Sequence, residues 1–252
     1  MSGHSKWSTI KRQKGANDAK RGALFTKLAR EIITAARQGG ADMEANYRLR
    51  MAVEKARQSS MPAENIKRAI EKATGSGADA EQYDEVTYEG IGPANVAVIV
   101  AAMTDNRNRT ASAIRSTFNK AGGSLSNVAW QFEQKGIISI PLNGRDPDDV
   151  TLAAIDAGAA DVGMPEAGSI VVSTDPGDLE AVRQSLAAAG HEAESAELSM
   201  EPTTTVEITD EKQARAVLQF MERLEDLDDV QNVYANFDIP AELMEQLEAQ
   251  VA

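Results

Sequence analysis

A dense cluster of cations lies near the start of the sequence, in the stretch KWSTIKRQKGANDAKRG over residues 6–22. Its cationic side chains are Lys6, Lys11, Arg12, Lys14, Lys20 and Arg21. They are accompanied by a single acidic residue, Asp18. Side chains of this type neutralise the phosphates of a nucleic acid and release its condensed counterions. We call residues 6–22 the arm, and its composition predicts a contact with a polyanion.

Trp7 lies in the arm and His4 lies just before it. Trp7 could stack on an unpaired base, a contact worth about 1–3 kcal/mol, or it could hold the arm against a neighbouring helical unit. His4 has no potential partner nearby, because the only other histidine is His191. With no cysteine in the chain either, we expect no metal site and no disulfide.

The charge of the whole chain is opposite to that of the arm. The net charge is −13 over 252 residues. Residues 1–72 hold 16 Lys and Arg against 7 Asp and Glu, or +9; the remainder holds 26 − 16 = 10 against 39 − 7 = 32, or −22. A solvated surface is one explanation. Such an asymmetry also suits a protein that binds a polyanion with its basic end and leaves the acidic remainder for a basic protein partner.

The basic region has the pattern of three helices. From 23 to 38 the apolar residues recur at helical spacing, with Leu24, Leu28 and Ile32 among them on one face. The opposite face holds Thr34 and the cations Lys27, Arg30 and Arg37, which extend the arm. A second helix is predicted at 44–59, and a third starts at Pro62 and stops at Gly75.

The acidic remainder alternates strands and helices. Two strands and a helix up to residue 121 are followed by a βαββαβ series, and then by a strand, a helix at 211–227 and a strand that ends near 237. The sequence therefore predicts an α+β fold with an N-terminal three-helix domain and two ferredoxin-like α/β sandwich domains, one inserted into the other. The predicted ranges are 1–78, 79–132 with 203–240, the inserted 133–202, and a tail at 241–252. A single continuous sheet is the alternative topology.

The segment TDNRNRT over residues 104–110 lies between a buried strand and a helix. Arg107, Arg109 and the backbone N–H groups at the helix start could together bind an anion. Alternatively, Asp105 or Asn106 caps the helix and both arginines are solvated. The AGGSLSN segment at 121–127 is either a contact loop or a helix stop with a turn.

Most sequence signatures of enzymes are absent. The chain lacks G-x-x-x-x-G-K-[ST], G-x-G-x-x-G, G-x-S-x-G and H-E-x-x-H. We therefore expect no catalysis, no cofactor and no small-molecule substrate. The longest apolar run, VAVIVAAM at 96–103, is far shorter than a membrane span, so we expect a cytoplasmic protein with no membrane partner.

Several motifs together resemble one family. MSGHSKWSTIKRQKGANDAKRG, NYRLRMAVEKAR, MPAENIKRAIEKATG, YEGIGP and TDNRNRT are similar to those of the YebC-type proteins, which include the mitochondrial translational activator of cytochrome c oxidase subunit I. The resemblance covers nearly the whole chain and implies a helical N-terminal domain with two α/β domains, one inserted in the other. One departure is GGSLSNVAWQF, where family members usually have a longer glycine-rich stretch.

The resemblance implies two kinds of function. Some members are described as DNA-binding transcriptional regulators, and others as ribosome-associated factors that would contact ribosomal or transfer RNA. Both agree with the predicted nucleic-acid contacts, which are Lys6, Trp7, Lys11, Arg12, Lys14, Lys20, Arg21, Lys27, Arg30 and Arg37. A protein adaptor that uses its acidic domains is a further alternative.

Overall fold

The computed structural model describes residues 18–75, 82–165 and 168–249. These residues form two compact units, one over 132–203 and the other from the described chain on both sides of it. In chain order the helices are α1 (Asp18–Gly39), α2 (Tyr47–Gln58), α3 (Ala63–Thr74), α4 (Arg107–Lys120), α5 (Pro147–Asp156), α6 (Leu179–Ala188), α7 (Glu211–Glu225) and α8 (Ala241–Ala249). The strands are β1 (Asp84–Ile91), β2 (Ala97–Thr104), β3 (Ser124–Leu125), β4 (Phe132–Pro141), β5 (Asp161–Val162), β6 (Ser169–Thr174), β7 (Ser195–Pro202), β8 (Val206–Glu207), β9 (Val230–Ala235) and β10 (Phe237–Asp238).

The three N-terminal helices enclose their own apolar core. Leu28 and Ile32 of α1 pack with Leu49 and Val53 of α2 and with Ile66 of α3. The three predicted helices are confirmed, and the start of each one differs from the prediction. α2 begins at Tyr47 rather than near residue 44. α1 begins at Asp18 rather than near residue 23, and Pro62 is the N-cap of α3 rather than its first helical residue.

A four-stranded antiparallel sheet follows, with the strand order β3-β1-β2-β9. Helices α4 and α7 contribute Phe118 and Phe220 to its core, where the two rings meet edge to face at 4.9 Å between centroids. Gly90 in β1 allows this packing, because a Cβ there would lie 2.5 Å from the Phe118 ring. This sheet and its helices form the α/β sandwich that both flanks of the 132–203 unit build together.

The 132–203 unit has the βαββαβ order of a ferredoxin-like sandwich, as the sequence predicted. Its antiparallel sheet has the order β5-β6-β4-β7, and its core includes Ile138, Ile140, Ile170 and Leu186. The α+β prediction with one domain inserted into another is therefore confirmed. The alternative of one continuous sheet is wrong, because the strands divide into three separate sheets.

Candidate nucleic-acid interface

More than half of the predicted contact side chains lie outside the described residues. Lys6, Trp7, Lys11, Arg12 and Lys14 precede Asp18, where the described chain begins. Lys20 belongs to the backbone of α1, and its side chain is likewise outside the description. The structure therefore shows where the arm joins the fold, which is the first turn of α1.

Two predicted contacts remain accessible on α1. Arg21 is exposed at the junction with the arm, and Arg37 is partly exposed near the other end of the helix. Neither has an ion-pair partner among the side chains that the structure describes. Both guanidinium groups can therefore meet a ligand without first breaking an internal contact of the described chain.

Lys27 and Arg30 contact the fold itself. The Nζ of Lys27 donates to the backbone oxygen of Glu225. Arg30 donates to the backbone oxygen of Asp228 and, at 3.0 Å, to Oδ1 of Asp229, and only 13% of its side chain is exposed. These two cations attach α1 to the segment between α7 and β9.

This attachment corrects one sequence interpretation. The face of α1 opposite the core was expected to be cationic and to extend the arm, but Thr34 on that face is only 4% exposed and Arg30 is nearly enclosed. Conversely, Leu24 was expected in the core and is 43% exposed. The helical periodicity of α1 identified one packing surface, whereas α1 has two because it packs against the α/β sandwich as well as against α2 and α3.

The other cations of the helical unit are mostly paired. Lys55 lies 3.2 Å from Glu31, and Arg48 contacts Glu85 of β1. On α3, Lys67 pairs with Glu71 and Arg68 pairs with Glu64 at i, i+4 spacing. Exposed pairs of this kind contribute little stability, but they offset part of the positive charge of the described helices.

Asp229 is the centre of a polar cluster that the sequence did not predict. Its carboxylate accepts hydrogen bonds from Thr110 at 2.6 Å, from Arg109 at 2.8 and 3.0 Å, and from Arg30 at 3.0 Å. Partial burial raises the pKa of Asp229, but the hydrogen bonds from Thr110 and Arg109 and the charges of both arginines outweigh burial and lower the pKa below its usual value. Asp229 is therefore a carboxylate that joins α1, α4 and the start of β9.

The segment predicted as a second anion site is part of this cluster. Arg107 pairs with Asp84 at 2.8 Å, and Arg109 pairs with Asp105 at 2.7 Å as well as with Asp229. The side chain of Asn106 caps α4 by accepting from the N–H of Arg109. Since the arginines and the capped N–H already have partners, the geometry favours the alternative in which this segment caps a helix. The arginines differ from that alternative, because they pair with carboxylates instead of being only solvated. Ligand binding by Arg107 and Arg109 stays a prediction.

The loop after α4 is a helix stop with a turn, one of its two predicted interpretations. Gly122 has a φ of +77° and ends the helix, and Ser124–Leu125 then pairs with β1. Further on, the carboxylate of Glu89 accepts from the N–H groups of Val128 and Ala129. These hydrogen bonds hold the segment that carries Trp130, whose exposure of 74% was not predicted.

Metal and membrane features are absent from the part of the chain that the structure describes. Over the ranges 18–75, 82–165 and 168–249, no group of three or more His, Asp or Glu side chains could hold a metal ion. Over the same ranges, no helix combines the length and apolarity that a membrane crossing requires.

Comparisons with known proteins place this architecture in one family. Residues 5–76 match the model for the TACO1/YebC protein N-terminal domain. Residues 83–237 match the model for the TACO1/YebC second and third domain. The two models together include the arm, the three N-terminal helices and the strands from β1 to β9.

Similar proteins extend over almost the whole chain. A probable transcriptional regulatory protein of Desulfotalea psychrophila is 53% identical and covers 98% of this chain and 99% of its own length. One from Thermomicrobium roseum is 51% identical, with coverages of 96% and 98%. The crystal structure of a conserved hypothetical protein, Aq1575, from Aquifex aeolicus superposes with a TM-score of 0.80 at 46% identity, covering 88% of this chain and 92% of its own. On both its domain matches and its full-length relatives, this chain belongs to the TACO1/YebC family.

Proposed function

We propose that this protein is a non-enzymatic regulator of gene expression that binds nucleic acid through its arm and the exposed cations next to it. The observation that carries the proposal is the arm itself, with six cations and one acidic residue over 6–22. The second and third helices add less to it, because four of their seven cations are paired with carboxylates. The names of the relatives, probable transcriptional regulatory proteins, favour duplex DNA as the first ligand to test.

Contacts of this kind position a protein on the phosphate backbone without reading the base sequence. Four residues join α2 to α3, a connection length that also occurs in helix-turn-helix proteins. However, the exposed side chains of α3 include Glu64 and Glu71, which are paired with its own Arg68 and Lys67. A helix with carboxylates on its exposed surface fits the major groove poorly, because the phosphates along both edges of the groove would repel those carboxylates.

The carboxylates on the exposed surface of α3 favour a second candidate function. In it, the protein is a translation factor that binds structured RNA on the ribosome through the same arm. Folded RNA is recognised largely by its shape, its phosphates and its 2′-hydroxyl groups, without a helix in the major groove. The two candidates share the arm and differ in the nucleic acid that it binds. A direct comparison of duplex DNA with an RNA hairpin therefore separates them.

The decisive experiment is a fluorescence anisotropy titration of the full-length protein with both labelled nucleic acids. We expect the triple substitution Lys11→Ala, Arg12→Ala and Lys14→Ala to abolish binding and to leave the unfolding temperature nearly unchanged. If about six phosphates are contacted on duplex DNA, the logarithm of the binding constant should fall against the logarithm of salt concentration with a slope near −5.

A matched control separates the arm from net charge. The triple substitution Lys67→Ala, Arg68→Ala and Lys72→Ala removes the same three charges from α3, whose cations are exposed. We expect this variant to retain most of the affinity. Unaltered binding by the arm variant would overturn the proposal and direct attention to an adaptor role, in which the acidic domains retain a protein partner without residues 1–78.

A further inference from the structure

A second cationic surface lies on α4, within the otherwise acidic part of the chain. Residues 73–252 carry a net charge of −22, yet residues 107–120 hold four cations and no carboxylate. The exposed side chains of α4 include Asn108, Ser112, Arg115, Asn119 and Lys120. At 100° per residue these five fall within an arc of about 140°, opposite the buried Ile114 and Phe118. One face of α4 thus combines cations with amide and hydroxyl groups.

The cations of α4 have two different uses. Arg107 and Arg109, in its first turn, pair with Asp84, Asp105 and Asp229. Arg115 and Lys120 are exposed and have no carboxylate partner among the described side chains. The first pair therefore fixes the helix in the fold, while the second pair is available to a ligand.

Both ends of this surface adjoin other cationic groups. At the start of α4, Asp229 joins Arg109 to Arg30 of α1, the helix that continues the arm. At the other end, Ala121 and Gly122 share the lining of an open cavity of about 440 Å³ with Gly92–Asn95 and with Lys212 of α7. Lys212 is exposed and has no carboxylate partner in the described chain. The available cations of α4 thus lie toward its second half, next to the residues that share a cavity with Lys212, whereas the cations at its start are neutralised by carboxylates.

We propose that the exposed face of α4, through Arg115 and Lys120, is a second contact for the phosphodiester backbone of the nucleic acid that the arm binds. This inference rests on the proposed function. Its support is charge complementarity, because Arg115 and Lys120 are unpaired cations in a segment with no acidic residue. On the helical wheel the small, exposed side chains of Ser112 and Ser116 lie between Arg115 and Lys120, which leaves space for a nucleic-acid backbone to approach the helix.

The dimensions of the surface indicate a polymer rather than a small anion. The fourteen residues of α4 span about 20 Å at 1.5 Å per residue. A single phosphate ion would meet one of these cations at a time. A polynucleotide strand, with a charge every ~3.4 Å along its axis, can meet several of them at once, and the acidic surroundings would keep it from spreading further.

The test compares full-length variants by the salt dependence of binding to duplex DNA and to the RNA hairpin. The double substitution Arg115→Ala and Lys120→Ala should weaken binding and make the log–log salt slope less steep by about 2, because two phosphate contacts are lost. The unfolding temperature should stay unchanged, because both side chains are exposed. The exchange Arg115→Lys and Lys120→Arg keeps the charges and should bind like the original chain.

The control removes the same charge elsewhere. Lys135→Ala with Arg145→Ala deletes two cations from the 132–203 unit and should leave the slope as it was. An unchanged slope for the α4 variant, or an equal change for the control, would overturn this inference. That outcome is distinct from failure of the proposed function, in which the unsubstituted protein binds neither nucleic acid or the arm substitutions have no effect.

Discussion

Asp229 shows how one side chain can join parts of a fold that are far apart in sequence. Its side chain is only 10% exposed and accepts from Arg30, which lies 199 residues earlier in the chain. The Nε of Arg30 is buried without a hydrogen-bond partner among the described atoms. The carboxylate of Asp229 is therefore the main compensation for the burial of this guanidinium, and its removal would leave a buried cation without a counter-charge.

We predict that Asp229→Asn lowers the free energy of unfolding by about 3 kcal/mol, since it removes one partner of a nearly buried ion pair. Urea unfolding of the full-length protein measures the change. Asp228→Asn is the matched control, because its side chain is exposed and its contact with Arg30 is made by the backbone oxygen. Equal losses in both variants would show that the loop needs negative charge in general rather than the carboxylate of Asp229.

The same contact predicts a pH dependence. The pKa of Asp229 is lower in the folded protein than its ordinary value, so the carboxylate contributes stability above the unfolded-state pKa of about 3.9. That contribution is lost as the pH falls through the folded-state pKa. We therefore expect the stability difference between the unsubstituted protein and Asp229→Asn to be constant near neutral pH and to shrink below about pH 4. A difference that stays constant on acidification would contradict this assignment.

At the scale of elements, Asn46 fixes the angle between α1 and α2. Its Oδ1 accepts from the N–H of Leu49 and caps α2, while its Nδ2 donates to the backbone oxygens of Ala35 and Gly40 at the end of α1. Gly39 leaves room for this arrangement, since a Cβ there would lie 2.6 Å from the Nδ2 of Asn46. One buried amide thus serves the end of one helix and the start of the next.

We predict that Asn46→Ala lowers the free energy of unfolding by about 2–3 kcal/mol, because a helix cap is lost and two backbone acceptors, one buried and one partly buried, lose their donor. Asn46→Asp keeps an acceptor for the cap but replaces the donor with a carboxylate that faces two carbonyls, so it should be destabilised as well. Asn106→Ala removes a simpler, exposed cap on α4 and should cost about 1 kcal/mol. Full stability of Asn46→Asp in urea unfolding would show that capping of α2 alone matters.

The elements themselves could be predicted because their signals are local. Apolar spacing and turn signals predicted all three N-terminal helices. The alternation of Val233, Ala235 and Phe237 predicted inward-facing strand residues, and all three side chains are buried. The burial of Thr34 and the roles of Asn46 and Asp229 could not be predicted. A periodic pattern indicates that a face is apolar, but it does not indicate which distant surface a polar residue will meet.

The charges of the candidate site could be predicted from the sequence, but their pairing could not. The arm stands out by composition alone, whereas Arg115 and Lys120 were not among the predicted contacts. Which cations are available depends on pairing across the fold: Arg30 and Arg109 meet Asp229, whereas Arg115 and Lys120 meet no described carboxylate. Sequence shows how many charges a segment has, and tertiary contacts determine how many of them remain for a ligand.

For the whole molecule, the 132–203 unit shows how one domain can sit inside another. The antiparallel register pairs Phe132, at the start of β4, with Pro202, at the end of β7. The two ends of the unit are therefore neighbours, so the surrounding chain leaves and returns at nearly the same point. An insertion with adjacent ends disturbs the fold around it little.

We predict that a fragment of residues 132–203 folds by itself, since its sheet pairs only strands from within it and its apolar core is drawn from the same range. Chemical denaturation followed by circular dichroism should give one cooperative transition, as expected of a small single domain. A shortened fragment that ends before β7 is the control and should lose the transition, because β7 pairs with β4 along eight residue pairs. A gradual, non-cooperative change in the full fragment would mean that this core depends on the rest of the chain.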